Sequence, residues 1–183
     1  MLYKLAHILL TRFPWLWEII EWLNDLLFKI RYHHSLHKLN GLAKLDDTNA
    51  IVTFFEQQPE ESFTFFRPHP FDRKHISKLL RRSSMLMHVI YRDRQIVGYC
   101  FLRCFFIGKG YRGYIVDARQ QKKGIGKELG AWLNDTAQKL PIRTFKTINN
   151  NNPASLRLAA ATCQLQKVQE MENGDTEYEC IIK

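Results

Sequence analysis

The sequence predicts an α+β fold: a mixed, mostly antiparallel central sheet of about six to seven strands flanked by helices, with an N-terminal helical appendage. Three observations predict it. Met85–Tyr91, Gln95–Phe106 and Tyr111–Val116 are β-prone apolar runs with turns at Arg92-Asp-Arg94 and Gly108-Lys-Gly110 between them, so they read as a meander. Directly afterwards Ile125, Leu129, Trp132, Leu133, Thr136 and Leu140 recur at helical spacing, and Pro141 marks a stop. Leu165–Met171 and Glu177–Ile182 then close the chain as a hairpin over Asn173-Gly174.

The remaining elements follow in chain order. Residues 1–45 differ in character from residues 46–183 and are expected to form an amphipathic helical arm beside one folded domain. Leu2, Leu5, Ile8 and Leu9 make one apolar stripe. Pro14 opens a second helix, on which Trp15, Ile19, Trp22, Leu23, Leu26, Leu27 and Ile30 cover a wide face. Glu18, Glu21, Asp25 and Lys29 lie elsewhere on the helix, and with the break at Pro14 they leave no apolar run of the roughly twenty residues a membrane span requires. That face suits packing on the domain or on a second subunit, or lying in a membrane interface. His33, His34 and His37 have helical spacing, but no acidic or cysteine partner stands near, so a solvated helix end is expected and no metal site. Gly41 ends the arm. Phe63–Phe66 is expected as a strand before the stiff Arg67-Pro-His-Pro70 loop, and Asp72 caps a helix to about Arg82. Ile142–Ile148 is a strand, and Asn152 caps a helix that starts at Pro153.

Composition sets the class. A hydrophobic fraction of 45% with 13% aromatics excludes a disordered chain. The net charge is +9, and residues 108–152 carry nine Lys/Arg against three Asp/Glu. This excess clusters at one turn and forms no long stripe or recognition helix, so an anionic cofactor is expected and not nucleic acid. Cys100, Cys104, Cys163 and Cys180 contain no Cys-x-x-Cys pair and read as free thiols in a reducing compartment. With no small-residue cleavage site after the early apolar run, a cytoplasmic protein is expected.

The chemistry concentrates in Ile115-Val-Asp-Ala-Arg-Gln-Gln-Lys-Lys-Gly-Ile-Gly-Lys-Glu-Leu129, a strand running through a turn into a helix N-terminus. Free amides at the positive end of a helix dipole attract phosphate. Gly124 and Gly126 have no Cβ to hold a pyrophosphate away from the backbone, and Lys122, Lys123 and Lys127 add charge. A P-loop would need Gly at Gln121 and Ser or Thr at Glu128. A dinucleotide fingerprint would need a small residue at Leu129 and an acid near Asn149. Gln121-x-x-Gly124-x-Gly126 instead resembles the acyl-CoA signature of the GNAT superfamily of N-acetyltransferases, and the element order of residues 46–183 resembles that fold. Asn152-Pro-Ala-Ser155-Leu-Arg157 is similar to the family's N-x-x-S-x-R pattern.

The resemblance implies acetyl-CoA as cofactor, held by Ile115, Val116, Gln121, Lys122, Lys123, Gly124, Ile125, Gly126, Lys127, Asn152 and Ser155. It implies a backbone N–H near Val116 as oxyanion donor. The family's usual tyrosine acid is missing, because Ala159 stands at its position. A primary amine acceptor must lose a proton before it attacks, and Asp117 and His69, with His88 more distant, are the candidate bases. Cys163 as an acyl-carrying nucleophile would need an activating base, and the sequence offers none. The expected activity is acetyl transfer to a primary amine of a small molecule, an amino sugar for example, by direct attack on the thioester. The alternatives are a non-catalytic acyl-CoA-binding or membrane-associated module, and a protein or peptide amine acetyltransferase. Residues 1–40 are expected to make any peripheral membrane contact or homodimer.

Overall fold

A computed structural model describes residues 14–182. The expected apolar stripe of Leu2, Leu5, Ile8 and Leu9 lies outside the described residues. The helices are α1 (Pro14–Arg31), α2 (His33–Leu36), α3 (Thr48–Glu56), α4 (Arg73–Leu80), α5 (Ile125–Lys139) and α6 (Pro153–Ala160). The strands are β1 (Met85–Arg92), β2 (Gln95–Phe105), β3 (Lys109–Val116), β4 (Arg143–Asn149), β5 (Gln164–Glu170) and β6 (Asp175–Ile181). They form one six-stranded sheet in the order β1-β2-β3-β4-β6-β5, antiparallel except for the parallel pair β3–β4. A right-handed crossover through α5 is the expected connection for that parallel pair.

Successive β2 side chains alternate between two cores, as the pleat requires. Cys100, Leu102 and Cys104 pack with Leu129, Leu133 and Ala137 of α5, while Tyr99 and Phe101 pack with Ile51, Phe54 and Phe55 of α3 and Ile76 of α4. The strand expected at Phe63–Phe66 is absent. Glu60–Phe63 instead forms a 3₁₀ turn, because Phe63 and Phe66 join Phe55 and Phe71 in an aromatic cluster over β2. Side-chain packing outweighs the β propensity of that short run.

The β3–β4 ladder is short. Register holds at Lys109↔Arg143, Gly110↔Thr144 and Tyr111↔Phe145, after which the two strands run on unpaired to Val116 and Asn149. A V-shaped cleft therefore opens in the middle of the sheet. At its vertex the Lys146 ammonium lies 3.5 Å from the centroid of the Tyr114 ring, filling the gap between the strands.

Helix α1 docks with the side opposite to its apolar face. Glu21 pairs with Arg82 and Arg103, and Asp25 accepts from the Ser84 amide and hydroxyl. Asn24 spans the end of β2, donating to Cys104 O and accepting from the Phe106 amide. Phe28, fully buried, enters the core beside α5. With Tyr32 these residues make a docking stripe at helical spacing, so the core crosses the expected boundary at residue 45. The apolar face points outward, with Trp22 61% and Ile30 67% exposed. The polar side wins because the backbone groups at the end of β2 have no strand partner and need hydrogen bonds. No described helix is long and apolar enough to cross a membrane.

Phe28→Ala is expected to lower unfolding stability by about 3–5 kcal/mol, and Trp22→Ala by less than about 0.5 kcal/mol. Chemical denaturation of the two variants checks this; equal effects would contradict the observed docking side.

Candidate functional site

The cleft between β3 and β4 is a cavity of about 1220 Å³ that opens onto the turn between β3 and α5. Its backbone walls follow from strand geometry. Asp117 N–H donates to Val97 O, and amides alternate in direction along a strand paired on one side. Val116 and Tyr114 therefore aim their N–H groups away from β2, into the gap left by β4. The Val116 amide, the expected oxyanion donor, thus faces the cleft.

The turn is built to present amides. Lys122 (φ +64°) and Gly124 (φ +84°) adopt left-handed backbone, which curls the chain so that successive N–H groups face one side. No described acceptor takes the amides of Lys122, Lys123, Gly124, Ile125 or Gly126, and they stand at the N-terminus of the fifteen-residue α5. Lys127 N–H differs, since it donates to Gly124 O at 2.9 Å, leaving Lys127 only its side chain to offer. Gln121, Lys122, Gly124, Ile125, Gly126 and Lys127 line the cavity, as do Ile115, Val116, Asn152 and Ser155. Lys123 does not, and its ammonium donates to Gln120.

The two glycines have different tasks. A Cβ on Gly124 would meet nothing within 4 Å, so its backbone is open to a ligand. A Cβ on Gly126 would lie 2.5 Å from Leu158 Cδ2, and one on Gly130 would lie 2.5 Å from Thr162 Cγ2. Spaced four apart on α5, they form a seam that lets the end of α6 approach. Gly126 thus serves helix packing as well as the cleft wall, which the phosphate argument alone did not anticipate. Asn152 caps α6 by accepting from the Ser155 amide.

Neither candidate base faces the cavity. Both Asp117 carboxylate oxygens accept from Arg119, whose guanidinium holds the carboxyl below its usual range, and the side chain is buried. His69 Nδ1–H donates to Pro70 O, and Nε2 accepts from the hydroxyl of buried Tyr99; burial pushes its pKa down, so the ring is neutral at pH 7. This pair pins the Pro-rich loop to β2 and leaves no ring nitrogen for a substrate. His88 stacks on Trp132 and bonds Gly41 O, away from the cleft. Cys163 is 5% exposed, donates to Ala159 O and stands outside the cavity wall. His33 and His37 contact each other, and no described cluster of His, Cys, Asp and Glu could hold a metal.

The sequence reading missed the charge inside the V. Arg67, Arg112, Lys122, Lys127, Lys146 and Arg157 line the cavity, against the single described carboxylate Asp175, which is engaged by Asn149 and Asn173. Arg112 and Lys146 are only 4% and 6% exposed. A signal for Lys146 existed: it alternates with Thr144 and Ile148, positions that face the core. Arg112 alternates in the same way with Tyr114 and Val116.

The Acetyltransferase (GNAT) family model matches residues 49–163, more than half of the chain. No curated protein matches the sequence. Among solved structures the chain is similar to the GNAT domain of S. lividans PAT, with 14% identity over 75% of this chain and 86% of that one and a TM-score of 0.67. It is similar to a ribosomal L7/L12 alpha-N-protein acetyltransferase in complex with coenzyme A, with 18% identity, 77% and 92% coverage and a TM-score of 0.63. A Vibrio cholerae spermidine N-acetyltransferase chimera gives 13% identity, 77% and 94% coverage and a TM-score of 0.60. These likenesses place the splayed sheet, the amide-lined turn and the capped α6 in one fold, and by its family match this chain belongs to the GNAT acetyltransferases.

Proposed function

We propose that the protein transfers an acetyl group from acetyl-CoA to the primary amine of a small neutral or anionic molecule, such as an amino sugar. The observation that carries this reading is the row of unbonded amides from Lys122 to Gly126, facing a cleft whose far wall offers the Val116 N–H. A pyrophosphate fits the first feature and a thioester carbonyl the second. Acetyl transfer to an amine then requires positioning, which is worth up to ~7–11 kcal/mol, and loss of the amine proton. With Asp117 and His69 engaged elsewhere, that proton leaves through water.

Charge selects the acceptor class. Six cations line the cleft and its one described acid is already paired, so a polyamine would meet repulsion with no carboxylate to hold it. The outer wall carries Phe65, Phe66 and Phe101, which suit stacking against a sugar face. In a panel of acceptors, amino sugars and their phosphorylated forms are expected to turn over at least about tenfold faster than spermidine or a peptide N-terminus, a difference of ~1.4 kcal/mol. Faster turnover of spermidine would refute this acceptor class.

Gly124→Asp places a carboxylate among the amides in open space, and is expected to weaken coenzyme A binding on the order of 100-fold. Calorimetry measures the affinity, and thermal melting confirms that the fold survives; an unchanged affinity removes the pyrophosphate assignment.

The outward face of α1 is read as a lipid-interface contact of a cytoplasmic enzyme. Exposed Ile19, Trp22 and Ile30 beside Lys29 and Arg31, on a chain of net charge +9, are the residue types that suit anionic headgroups. Cosedimentation with phosphatidylglycerol vesicles is expected for the full chain and not for Trp22→Glu/Ile30→Glu. A dimer in solution that the double substitution dissociates, without vesicle binding, would assign the face to a second copy.

A further inference from the structure

We infer that Lys146 is the proton donor to the departing coenzyme A sulphur, acting from the vertex of the V in place of the helix side chain that is missing at Ala159. This rests on the transferase reading above. Its grounds are geometric. Lys146 directly follows Phe145, the last β4 residue in register with β3, and it lines the cavity at the depth where the strands part. Ala159 is 1% exposed and contributes no polar side chain to the cleft. Leu158, its neighbour, is turned against Gly126. The described residues of α6 therefore give the cleft no acid beyond the hydroxyl of Ser155.

The surroundings of Lys146 are unusual for a buried cation. Arg112 and Tyr114 face it from β3, and Tyr178 stands opposite it on β6. Cys180 on β6 and Cys163 after α6 complete the shell, and the Cys163 thiol, its pKa lowered to about 6 chiefly by its hydrogen bond with Cys180 and further by the Arg112 guanidinium and Lys146, is the one described acid these cations share. No described carboxylate pairs with Lys146 or with Arg112, whose one side-chain bond runs to Asn134. Arg112 Nε and Tyr114 Oη find no hydrogen-bond partner in the protein. A buried charge normally has a counter-ion, and a buried polar atom a partner. Two cations and two unspent polar atoms around one gap mark a place prepared for negative charge, and the cleft delivers such a charge when the thioester breaks.

Acid strength fits the same role. Burial, and then the neighbouring Arg112 guanidinium, lower the Lys146 pKa to about 7. An ordinary lysine, at about 10.4, is a weaker acid than a thiol at about 8.5 and would not protonate a thiolate. At about 7 the order is reversed, and transfer to sulphur runs downhill. In the reaction the acceptor nitrogen forms a bond to the carbonyl carbon and the C–S bond breaks, its electron pair remaining on sulphur. Lys146 gives that sulphur a proton and becomes a neutral amine, which regains a proton from water in the cleft. The nitrogen of the acceptor loses its own proton to water, so the products are the amide and free coenzyme A thiol.

The test uses the full chain, Lys146→Met and Lys146→Arg, each checked for melting temperature. Calorimetry gives coenzyme A affinity, and the ultraviolet absorption of the thiolate gives the titration of bound coenzyme A. Because Lys146 gives up its own proton near pH 7, wild type is expected to ionise the bound thiol close to the pH of free coenzyme A. Lys146→Arg, whose charge stays, should ionise it at lower pH, and Lys146→Met should not, each keeping affinity within about threefold. Both variants should lose turnover by at least about 100-fold, since neither a thioether nor a guanidinium releases a proton. The wild-type turnover number should fall as pH rises above about 7, where Lys146 loses its proton, and both variants should lack that limb. A bound thiol in wild type that ionises at the lowered pH of Lys146→Arg, which would show a lysine still charged beside it, or full turnover in Lys146→Arg, overturns the assignment and leaves the transferase reading intact. Loss confined to carboxylate-bearing acyl donors also overturns it, because the cations would then recognise the acyl group. Failure of wild type to bind coenzyme A at all removes both readings.

Discussion

The short β3–β4 ladder is the constraint on which the rest of the structure depends. After three register pairs the strands separate, and each unpaired residue of β3 presents backbone hydrogen-bonding groups to an open gap. Buried backbone groups left without partners cost free energy, so such a gap is retained only where something else fills it. Tyr114 and Lys146 fill the vertex, and the remaining length is open to a ligand. α5 and α6 then brace one face of the gap. Their close approach depends on Gly126 and Gly130, where even a methyl group would collide with Leu158 or Thr162.

Electrostatics in the cleft follow from that architecture. At the mouth, cations are exposed and accompany amides at a helix terminus, an arrangement that attracts phosphate. Toward the vertex, Arg112 and Lys146 are buried, and no described carboxylate pairs with them. Desolvation raises the cost of the ionised lysine there, and a second cation raises it further. The described lining of the cleft is therefore cationic from the mouth to the vertex. Family membership leaves the acceptor open, since spermidine and ribosomal-protein acetyltransferases share the fold.

Helix α1 shows how local pattern and tertiary need can diverge. Its seven-residue apolar stripe reads as a core face, yet the protein buries Glu21, Asn24 and Phe28 instead. Asn24 and Asp25 satisfy backbone groups at Phe106 and Ser84 that no strand reaches, and Glu21 joins Arg82 to Arg103. Hydrogen bonds to otherwise unpaired groups are worth more at that contact than the burial of additional leucine side chains. The apolar face is thereby held outward on a helix fixed to the sheet.

The sequence by itself determined the sheet and the glycine-containing turn between β3 and α5. The β-prone runs of β1 to β6, the periodic face of α5, and Gln121-x-x-Gly124-x-Gly126 are local signals, carried by residues adjacent in the chain. Asn152 as a cap and Asn173-Gly174 as a hairpin turn were legible for the same reason. The tertiary structure alone decided which side chains face the cleft. Asp117 and His69 looked available as bases, but Arg119 and Tyr99 occupy them, and for His69 the partner comes from thirty positions away. The aromatic packing that turns Phe63–Phe66 away from the sheet also arises between distant residues. Lys146, Arg112 and Tyr114 meet because two strands joined through α5 diverge at one point, a relation that no local pattern of charge or hydrophobicity contains.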